Sequence, residues 1–276
     1  MFTVVTDSSS YFDRRSVDPQ LLRVVPLSYS IGDQAYFEGY SDENGRFVEL
    51  LKLPTHRAAH TAQVPVGGFL STFHELQRQH REVLCLTISS RLSGTYGSAL
   101  IAAGQVDASA IAVVDSLSTA GGLRFLVEYA CALSAQGVPL PEAVEQLEKK
   151  RESVGIVFSV ESMEALRASG RISSVRQSVG TVLNIRPILL CSNGIIVSGG
   201  IARGRSEQVA KLLEAVPPEA ERLSLHYVQN SPKVHALAQA AAARFGGLDI
   251  VRWPIGPVLA VHLGIEAFGL AWQTGK

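Results

Sequence analysis

Short apolar runs alternate with longer amphipathic segments in the first half of the chain. Phe2 to Thr6, Leu84 to Ile88 and Ala110 to Val114 are short and mostly apolar, as strands buried on both faces are. Apolar residues at helical spacing separate these runs, and the alternation predicts a mainly parallel sheet covered on both faces by helices. The buried helix faces are predicted at Phe69, Leu70, Phe73 and Leu76; at Tyr96, Ala99, Leu100 and Ala103; and at Leu123, Leu126, Val127, Ala130 and Cys131, with a further helix opening at Pro141.

Less regular segments connect these elements. Val24 to Ile31 predicts one continuous strand, and the turn residues Gly32-Asp33 predict a hairpin with Gln34 to Glu38. Three further features are expected: a short helix over Phe47, Leu50 and Leu51 that Pro54 ends, a polar loop from His60 to Pro65, and a stop at Gly104 for the helix that follows Ser93.

The second half of the chain mixes hairpins with helices. Gly155 to Val160 predicts an apolar strand, Ser192-Asn193-Gly194 a hairpin turn, and Val258 to His262 the final strand. Between them the pattern predicts four helices: one with Met163 and Leu166, one that ends at Leu183, one capped by Ser206, and one from Ser231-Pro232 to Phe245. It also predicts strands at 186–191, 195–197, 223–228 and 250–253. We therefore expect two domains, α/β over residues 1–152 and α+β over residues 153–276.

Polar residues follow three of the predicted strands at the point where each strand ends. They are Thr6-Asp7-Ser8-Ser9, Thr87-Ile88-Ser89-Ser90 and Val113-Val114-Asp115-Ser116. The carboxyl ends of parallel strands meet at one edge of a sheet, and that edge is where ligands of open α/β sheets bind. The nearby loop Ser93-Gly94-Thr95 offers two hydroxyls and backbone N–H groups at a helix N-terminus, which suits an anion. Helix capping alone is the competing explanation of this loop.

Charge and cysteine content narrow the class of protein. The chain has 25 Lys and Arg against 25 Asp and Glu and no long basic run, so nothing favours binding to nucleic acid or to an anionic membrane surface. Cys85, Cys131 and Cys191 lie far apart inside apolar runs, which is typical of reduced thiols in a protein core. With no signal-peptide pattern and no apolar stretch long enough to span a bilayer, we expect a soluble cytoplasmic protein.

Metal and nucleotide sites are not expected. His56 and His60 stand four residues apart without a further ligand at suitable spacing, and His74 lacks the second histidine of a zincin motif. No glycine-rich phosphate loop is present, so no cofactor is expected. A hydrolase or acyl-transfer enzyme that uses Ser93, His262 and either Asp7 or Asp115 remains an alternative, although Ser93 is not part of a Gly-x-Ser-x-Gly motif.

A series of motifs in a fixed order points to a known family. The motifs are Val5-Thr6-Asp7-Ser8-Ser9, Val25-Pro26-Leu27, Thr61-Ala62-Gln63, Ile88 to Tyr96, Val114-Asp115-Ser116, Gly170-Arg171-Ile172, Asn184 to Leu189, Arg203-Gly204-Arg205, and Ile255-Gly256-Pro257-Val258 with His262. Together they span almost the whole chain and resemble the DegV family, which includes the FakB-type fatty-acid-binding subunits of bacterial fatty acid kinase.

The resemblance implies a lipid-binding protein without catalytic activity, which holds one long-chain fatty acid in a tunnel between its two domains. The hydroxyls of Thr61 and Ser93 would bind the carboxylate, the Gly94 and Thr95 region would supply N–H groups, and His262 would lie nearby. A separate ATP-dependent fatty acid kinase subunit would phosphorylate the bound acid. The positions that match the family's basic residues for docking this kinase, or lie in a neighbouring family loop, are Arg203, Arg205 and Arg171.

The chain departs from the family pattern at two places near the expected head group. The family's Thr-Ser-Gln-Pro loop is Thr61-Ala62-Gln63-Val64-Pro65 here, and the Gly-Pro-Gly that follows the histidine is Gly264-Ile265-Glu266. The first change removes a hydroxyl. The second introduces a carboxylate that would repel a bound anion if Glu266 pointed inward.

Overall fold

The parallel sheet predicted for the first half is confirmed. The computed structural model of the chain describes residues 1–53, 59–172 and 185–275. Its first elements are β1 (Thr3–Asp7), β2 (Leu22–Val25), β3 (Leu27–Ile31), β4 (Gln34–Glu38), α1 (Phe47–Lys52), β5 (Ala59–Ala62), α2 (Val66–Arg78), β6 (Val83–Thr87), α3 (Thr95–Val106), β7 (Ile111–Asp115), α4 (Ala120–Ala135) and α5 (Leu140–Lys150). Strands β2, β1, β6 and β7 lie side by side in this order, and all are parallel.

Helices cover both faces of this sheet. Successive residues of a strand point to opposite faces. Val5 and Cys85 accordingly pack in one apolar cluster with residues of α2 and α3, whereas Val4 and Leu84 pack in another with residues of α4 and α5. This doubly covered arrangement leaves the carboxyl edge of the sheet open for a site.

A second, antiparallel sheet corrects two predictions for the first half. The predicted strand from Val24 to Ile31 is divided at Pro26, because a proline lacks the N–H that would continue a ladder. Its first part belongs to the parallel sheet as β2, and its second part, β3, pairs with β4 and β5. The segment from His60 to Pro65 was predicted as a loop, but Thr61 lies in strand β5 opposite Tyr29.

The second half contributes a six-stranded sheet of mixed direction. Its elements are β8 (Val154–Ser159), α6 (Glu164–Ala168), β9 (Ile185–Ser192), β10 (Ile195–Arg203), α7 (Gly204–Glu214), β11 (Ala220–Tyr227), α8 (Pro232–Arg244), β12 (Ile250–Pro254), α9 (Pro257–Leu263) and β13 (Phe268–Thr274). The spatial order is β10, β9, β8, β13, β11, β12, with only β11 and β12 parallel. Helix α4 packs against this sheet as well as the parallel one, so it joins the two. The domain division at residue 152 stays a prediction.

The end of the chain differs most from its prediction. Val258 to His262 was predicted as a strand, but these residues form helix α9, with Pro257 in its first turn. Gly264 follows the helix with φ 79°, a conformation that favours glycine after a helix end. The last strand, β13, was not predicted, although it occupies a central position in its sheet.

Two helices begin or end at other residues than predicted. Helix α3 continues through Gly104 to Val106, and Leu100 is 44% exposed while Ala99 and Ala103 are buried. Helix α7 begins at Gly204, so Ser206 lies inside it. The predicted helix ends at Pro54 and Leu183 lie outside the described residues. None of the described helices has both the length and the apolarity that a membrane crossing requires.

Candidate functional site

Two carboxylates fix the loops at the carboxyl edge of the parallel sheet. The Asp7 carboxylate, at the end of β1, accepts hydrogen bonds from the backbone N–H of Ile88 at 2.7 Å and of Ser9 at 3.0 Å. Burial raises the pKa of Asp7, and these hydrogen bonds oppose that effect. At the end of β7, the Asp115 carboxylate accepts a hydrogen bond from the backbone N–H of Ser90 at 3.1 Å. Both carboxylates therefore hold the loop that leads to Ser93.

Ser93 is held in place by its neighbours at the start of α3. Its backbone N–H donates to the Ser89 carbonyl at 3.1 Å, and its hydroxyl lies 2.9 Å from that of Thr95. Thr95 is buried, and its hydroxyl also accepts from the N–H of Val64 at 3.3 Å. Thr95 is thus placed to orient Ser93 and to connect α3 to the segment after β5.

The β5 segment brings Thr61 to the same place. The Thr61 hydroxyl lies 2.8 Å from Nε2 of His262, which is 201 residues later in the chain. Gln63 donates to the Ser98 hydroxyl at 2.9 Å, and its side chain passes so close to Gly94 that an added Cβ there would lie 1.9 Å from Oε1. Any larger residue at position 94 would therefore displace the Gln63 side chain from its contact with Ser98.

His262 is uncharged at neutral pH. Burial lowers its pKa to about 4, and the positive charge of Arg171 acts in the same direction. A neutral imidazole both donates and accepts, so the tautomer decides which role it takes toward Thr61. The site thus presents hydroxyls and a neutral ring, with one guanidinium near them.

These polar groups line a cavity of about 350 Å³, whose wall also includes residues of the three-stranded and the six-stranded sheets. Thr61, Ser93, Gly94, His262 and Arg171 contribute to its wall. Much of the remaining lining is aliphatic and includes Leu27, Ile88, Leu92, Ile156, Val157, Leu166, Ile196, Val258, Leu259 and Leu263. A cavity of this size with an apolar wall and a few convergent polar groups is typical of small-molecule sites.

The structure brings together most of the predicted ligand-binding residues. Thr61, Ser93, Gly94 and His262 all line the cavity, whereas Thr95 lies behind Ser93. The predicted docking residues separate into two places, because Arg171 lies on the cavity wall while Arg203 and Arg205 are exposed at the junction of β10 and α7. The roles of the ligand-binding residues and of the three docking arginines stay predictions.

The Glu266 carboxylate pairs with the ammonium group of Lys233 and is not part of the cavity wall. It accepts a hydrogen bond at 3.0 Å from Lys233, which also contacts Glu161 at 3.0 Å. The ion pair compensates the negative charge of Glu266. The repulsion considered from the sequence is therefore absent at this position.

The contacts do not form the Ser-His-Asp arrangement that the hydrolase alternative requires. Nε2 of His262 pairs with Thr61, and the Ser93 hydroxyl pairs with Thr95. Asp7 and Asp115 are bound to backbone N–H groups of the edge loops. Within the described part of the chain, no group of three or more His, Cys, Asp or Glu residues is placed to hold a metal ion.

Sequence reasoning gave no site role to three polar residues of the cavity wall, Gln63, Thr119 and His226. Thr119 follows the β7 loop and precedes α4, so its position after a strand end could have been used as a signal. His226 lies next to Leu225 in strand β11, where a lone histidine is usually a core residue, and no local pattern distinguishes it.

Comparison with known proteins finds similarity to DegV proteins over nearly the whole length of this chain. A family model described as "Uncharacterised protein, DegV family" matches residues 1–275. A DegV domain-containing protein of Halalkalibacterium halodurans is 30% identical over 99% of this chain and 98% of its own length.

Solved structures of similar proteins share the fold. A structure described as showing fatty acid binding of a DegV family protein from Thermus thermophilus matches with a TM-score of 0.84 and 28% identity, covering 99% of each chain. The structure of DegV from Bacillus subtilis, described as a fatty acid binding protein, matches with a TM-score of 0.85 and 25% identity, also over 99% of each chain.

Proposed function

This chain belongs to the DegV family, and we propose on that basis that its cavity binds one long-chain fatty acid. The observation that carries the proposal is the meeting of the Thr61 and Ser93 hydroxyls with neutral His262 on the wall of a largely aliphatic cavity. The solved relatives from Thermus thermophilus and Bacillus subtilis, which are described as binding fatty acids, support it. In this proposal the protein carries the acid and catalyses no reaction on it.

The two parts of such a ligand would have different roles. Each buried methylene contributes about 0.8 kcal/mol, so a long acyl chain gains on the order of 10 kcal/mol before the costs of binding. A buried carboxylate costs free energy unless its oxygens are hydrogen-bonded. The aliphatic wall would therefore provide affinity, while Thr61, Ser93 and the N–H groups near Gly94 would orient the carboxylate.

Neutral His262 and charged Arg171 fit this role for the head group. Protonated His262 would place a second positive charge near Arg171, and the burial of the imidazole together with the charge of Arg171 disfavours that state. Arg171 alone balances the charge of one carboxylate. We expect the acid to bind in its ionised form.

Equilibrium titration with a saturated long-chain fatty acid and with its methyl ester tests the proposal. The ester keeps the chain but loses the charge, and charge-assisted hydrogen bonds contribute about 1.5–3 kcal/mol each. We expect the acid to bind at least about tenfold more tightly than the ester. Equal affinities would contradict carboxylate recognition, and failure of both to bind would contradict the lipid-binding function.

The bound acid would then be presented to a separate ATP-dependent fatty acid kinase subunit. The resemblance to FakB-type proteins and the exposure of Arg203 and Arg205 support this step. The backbone N–H of Arg203 donates to the Glu207 carboxylate at 2.7 Å, which fixes the start of α7 between the two arginines. Two exposed guanidinium groups on a fixed turn suit an acidic partner surface.

Replacing Arg203 and Arg205 together with alanine tests the docking role. We expect unchanged fatty acid affinity and a slower kinase-dependent phosphorylation of the bound acid. The matched control removes two other surface arginines, Arg244 and Arg252, and should alter neither property. Equal loss of phosphorylation in both double variants would indicate a general charge effect and contradict a docking site at 203–205.

A further inference from the structure

The cavity opens to solvent beside the proposed head-group site. Of the described residues that line the cavity, Ala62, Gln63, Gly94 and Arg171 are the exposed ones. The aliphatic residues of the wall are buried or partly buried. A fatty acid would therefore enter and leave past these four residues, and its carboxylate would lie nearest to the opening.

The side chain of Gln63 crosses this opening from β5 to α3. Gln63 follows β5 directly, and its Nε2 donates to the Ser98 hydroxyl of α3 at 2.9 Å. The carboxamide lies on the backbone of Gly94, because a Cβ there would lie 1.9 Å from Oε1, 2.7 Å from Cδ and 3.1 Å from Nε2. Strand β5 carries Thr61, and Gly94 follows Ser93. The carboxamide therefore spans the gap between the two segments that carry the proposed carboxylate-binding hydroxyls.

The backbone beneath this side chain is fixed, whereas the side chain itself is weakly held. Val64 is fully buried, and its N–H donates to the Thr95 hydroxyl at 3.3 Å. The Gln63 side chain is exposed, and among the described residues its hydrogen-bond partner is Ser98. A neutral hydrogen bond of this kind favours the bonded position by about two- to tenfold. The side chain therefore also spends a substantial fraction of the time away from Ser98.

We propose that Gln63 is a gate that controls the rate of fatty acid exchange: its carboxamide closes the opening while it is bonded to Ser98, and the acid passes while it is displaced. This proposal rests on the proposed function. Exposed side chains change rotamer within nanoseconds, so the rates of entry and release are both proportional to the fraction of time that the gate is open. The hydrogen bond joins two residues of the protein and does not involve the acid, so the gate leaves the affinity unchanged.

Stopped-flow measurement with cis-parinaric acid, an 18-carbon fatty acid that fluoresces in apolar surroundings, tests the proposal. Mixing with increasing protein concentrations gives the entry rate constant, and displacement by excess octadecanoic acid gives the release rate constant. In Gln63→Ala we expect both to rise by the same factor, about two to ten, with an unchanged dissociation constant. Unchanged rate constants would overturn the gate. Faster release with unchanged entry would show that Gln63 binds the acid directly, and would also overturn it.

Ser98→Ala removes the hydrogen-bond partner and leaves Gln63 in place. We expect both rate constants to rise as they do in Gln63→Ala, because the same hydrogen bond is lost. The variant with both substitutions should show no further increase over Gln63→Ala alone, since the two residues act as one unit. Effects that add in the double variant would show that Ser98 and Gln63 act independently, which would overturn the gate.

Gln79→Ala is the matched control. Gln79 is also an exposed glutamine, and its side chain donates to Glu75 at 3.5 Å, but it follows the end of α2 and is not part of the cavity wall. Both rate constants should equal those of the unaltered protein, and an increase as large as that in Gln63→Ala would overturn the gate. Failure of the unaltered protein to bind either fatty acid would contradict the proposed function itself, whereas failure of the gate alone leaves binding intact.

Discussion

At the scale of single residues, the candidate site depends on hydroxyls that are already oriented before a ligand arrives. Ser93 is hydrogen-bonded to Thr95, and Thr61 to His262, at 2.9 and 2.8 Å. Pre-oriented groups lose little conformational entropy on binding. The Ser93 hydroxyl therefore gives a direct test at this scale.

Ser93→Ala should weaken fatty acid binding by about ten- to a hundredfold, the equivalent of about 1.5–3 kcal/mol for a hydrogen bond to a charged group. Folding should be little affected, because Ser93 is only partly buried. Isothermal titration with one fatty acid measures the affinity, and urea unfolding measures the stability.

Ser90→Ala is the matched control for this substitution. Ser90 lies in the same loop and is exposed, and its contact with Asp115 uses the backbone N–H, which alanine keeps. We expect unchanged affinity. If the two alanine variants bind equally well, Ser93 does not hold the carboxylate.

The sequence allowed part of the site to be predicted at the residue scale. A strand followed by small polar residues and a helix indicated the loop of Ser93 and Gly94 from local pattern alone. Thr61 and His262 were identified through the family resemblance, because they come from segments 201 residues apart and no local pattern relates them. The places of Thr119 and His226 on the cavity wall depend on packing between the start of α4 and strand β11, which spacing along the chain does not determine.

At the scale of elements, helix α9 depends on a buried carboxyl group from the other half of the chain. Glu38, at the end of β4, is fully buried, and its Oε2 accepts from the backbone N–H of Val258 at 3.0 Å. This contact satisfies one of the unpaired N–H groups at the start of α9. Because α9 carries His262, Glu38 helps to position the site.

Glu38→Gln should alter the pH dependence of stability. Burial raises the pKa of Glu38 from 4.5 to about 8, so between these values the folded state keeps a proton that the unfolded state releases. The contribution of this group to stability is therefore complete below about pH 4.5 and is lost as the pH rises through 8. Glutamine can still accept from Val258 but does not titrate.

Urea unfolding at several pH values between 5 and 9 measures this difference. We expect the free energy of unfolding to fall more steeply with pH in the unaltered protein than in the Glu38→Gln variant. Parallel curves for the two proteins would show that Glu38 has the same pKa in the folded and unfolded states.

Two glycines in helices should respond to alanine with opposite signs. At Gly121 in α4, an added Cβ would lie 2.2 Å from His226, 2.7 Å from Ala271 and 2.9 Å from Ser224, so Gly121→Ala should cost about 1–3 kcal/mol. At Gly104 in α3 an added Cβ meets nothing within 4 Å, so Gly104→Ala should stabilise by about 0.5–1 kcal/mol. Urea unfolding checks both, and a Gly121→Ala variant as stable as the unaltered protein would contradict the close contact between α4 and β11.

The elements that were predicted correctly have strong local patterns, and the errors have identifiable causes. Strands β1, β6 and β7 are short apolar runs with clear ends. Val258 to His262 is equally apolar, and that apolarity outweighed the helix signals of Pro257 and Gly264 that flank it. Strand β5 depends on its pairing with β3, and the polar sequence of β5 gives no sign of this pairing.

At the scale of the whole molecule, the cavity is lined by residues from both halves of the chain, and several contacts hold these halves together. The loop after β6 contacts the β9–β10 turn, because Ser89 donates to the Gly194 carbonyl at 2.8 Å and Arg91 to that of Asn193 at 3.0 Å. Buried Arg124 of α4 donates to the Tyr11 carbonyl at 2.6 Å, and its guanidinium lies 3.9 Å from the ring centroid of Trp253 in β12. A ligand in the cavity would add apolar contacts to both halves of the chain.

Mass spectrometry of the organic extract of the gently purified and then denatured protein tests the central claim most directly. Cells supply fatty acids, and a buried acyl chain should remain bound through purification because its burial is worth on the order of 10 kcal/mol. The account predicts close to one long-chain fatty acid per chain. An extract without fatty acid, from a protein that also fails to bind added fatty acid, would contradict it.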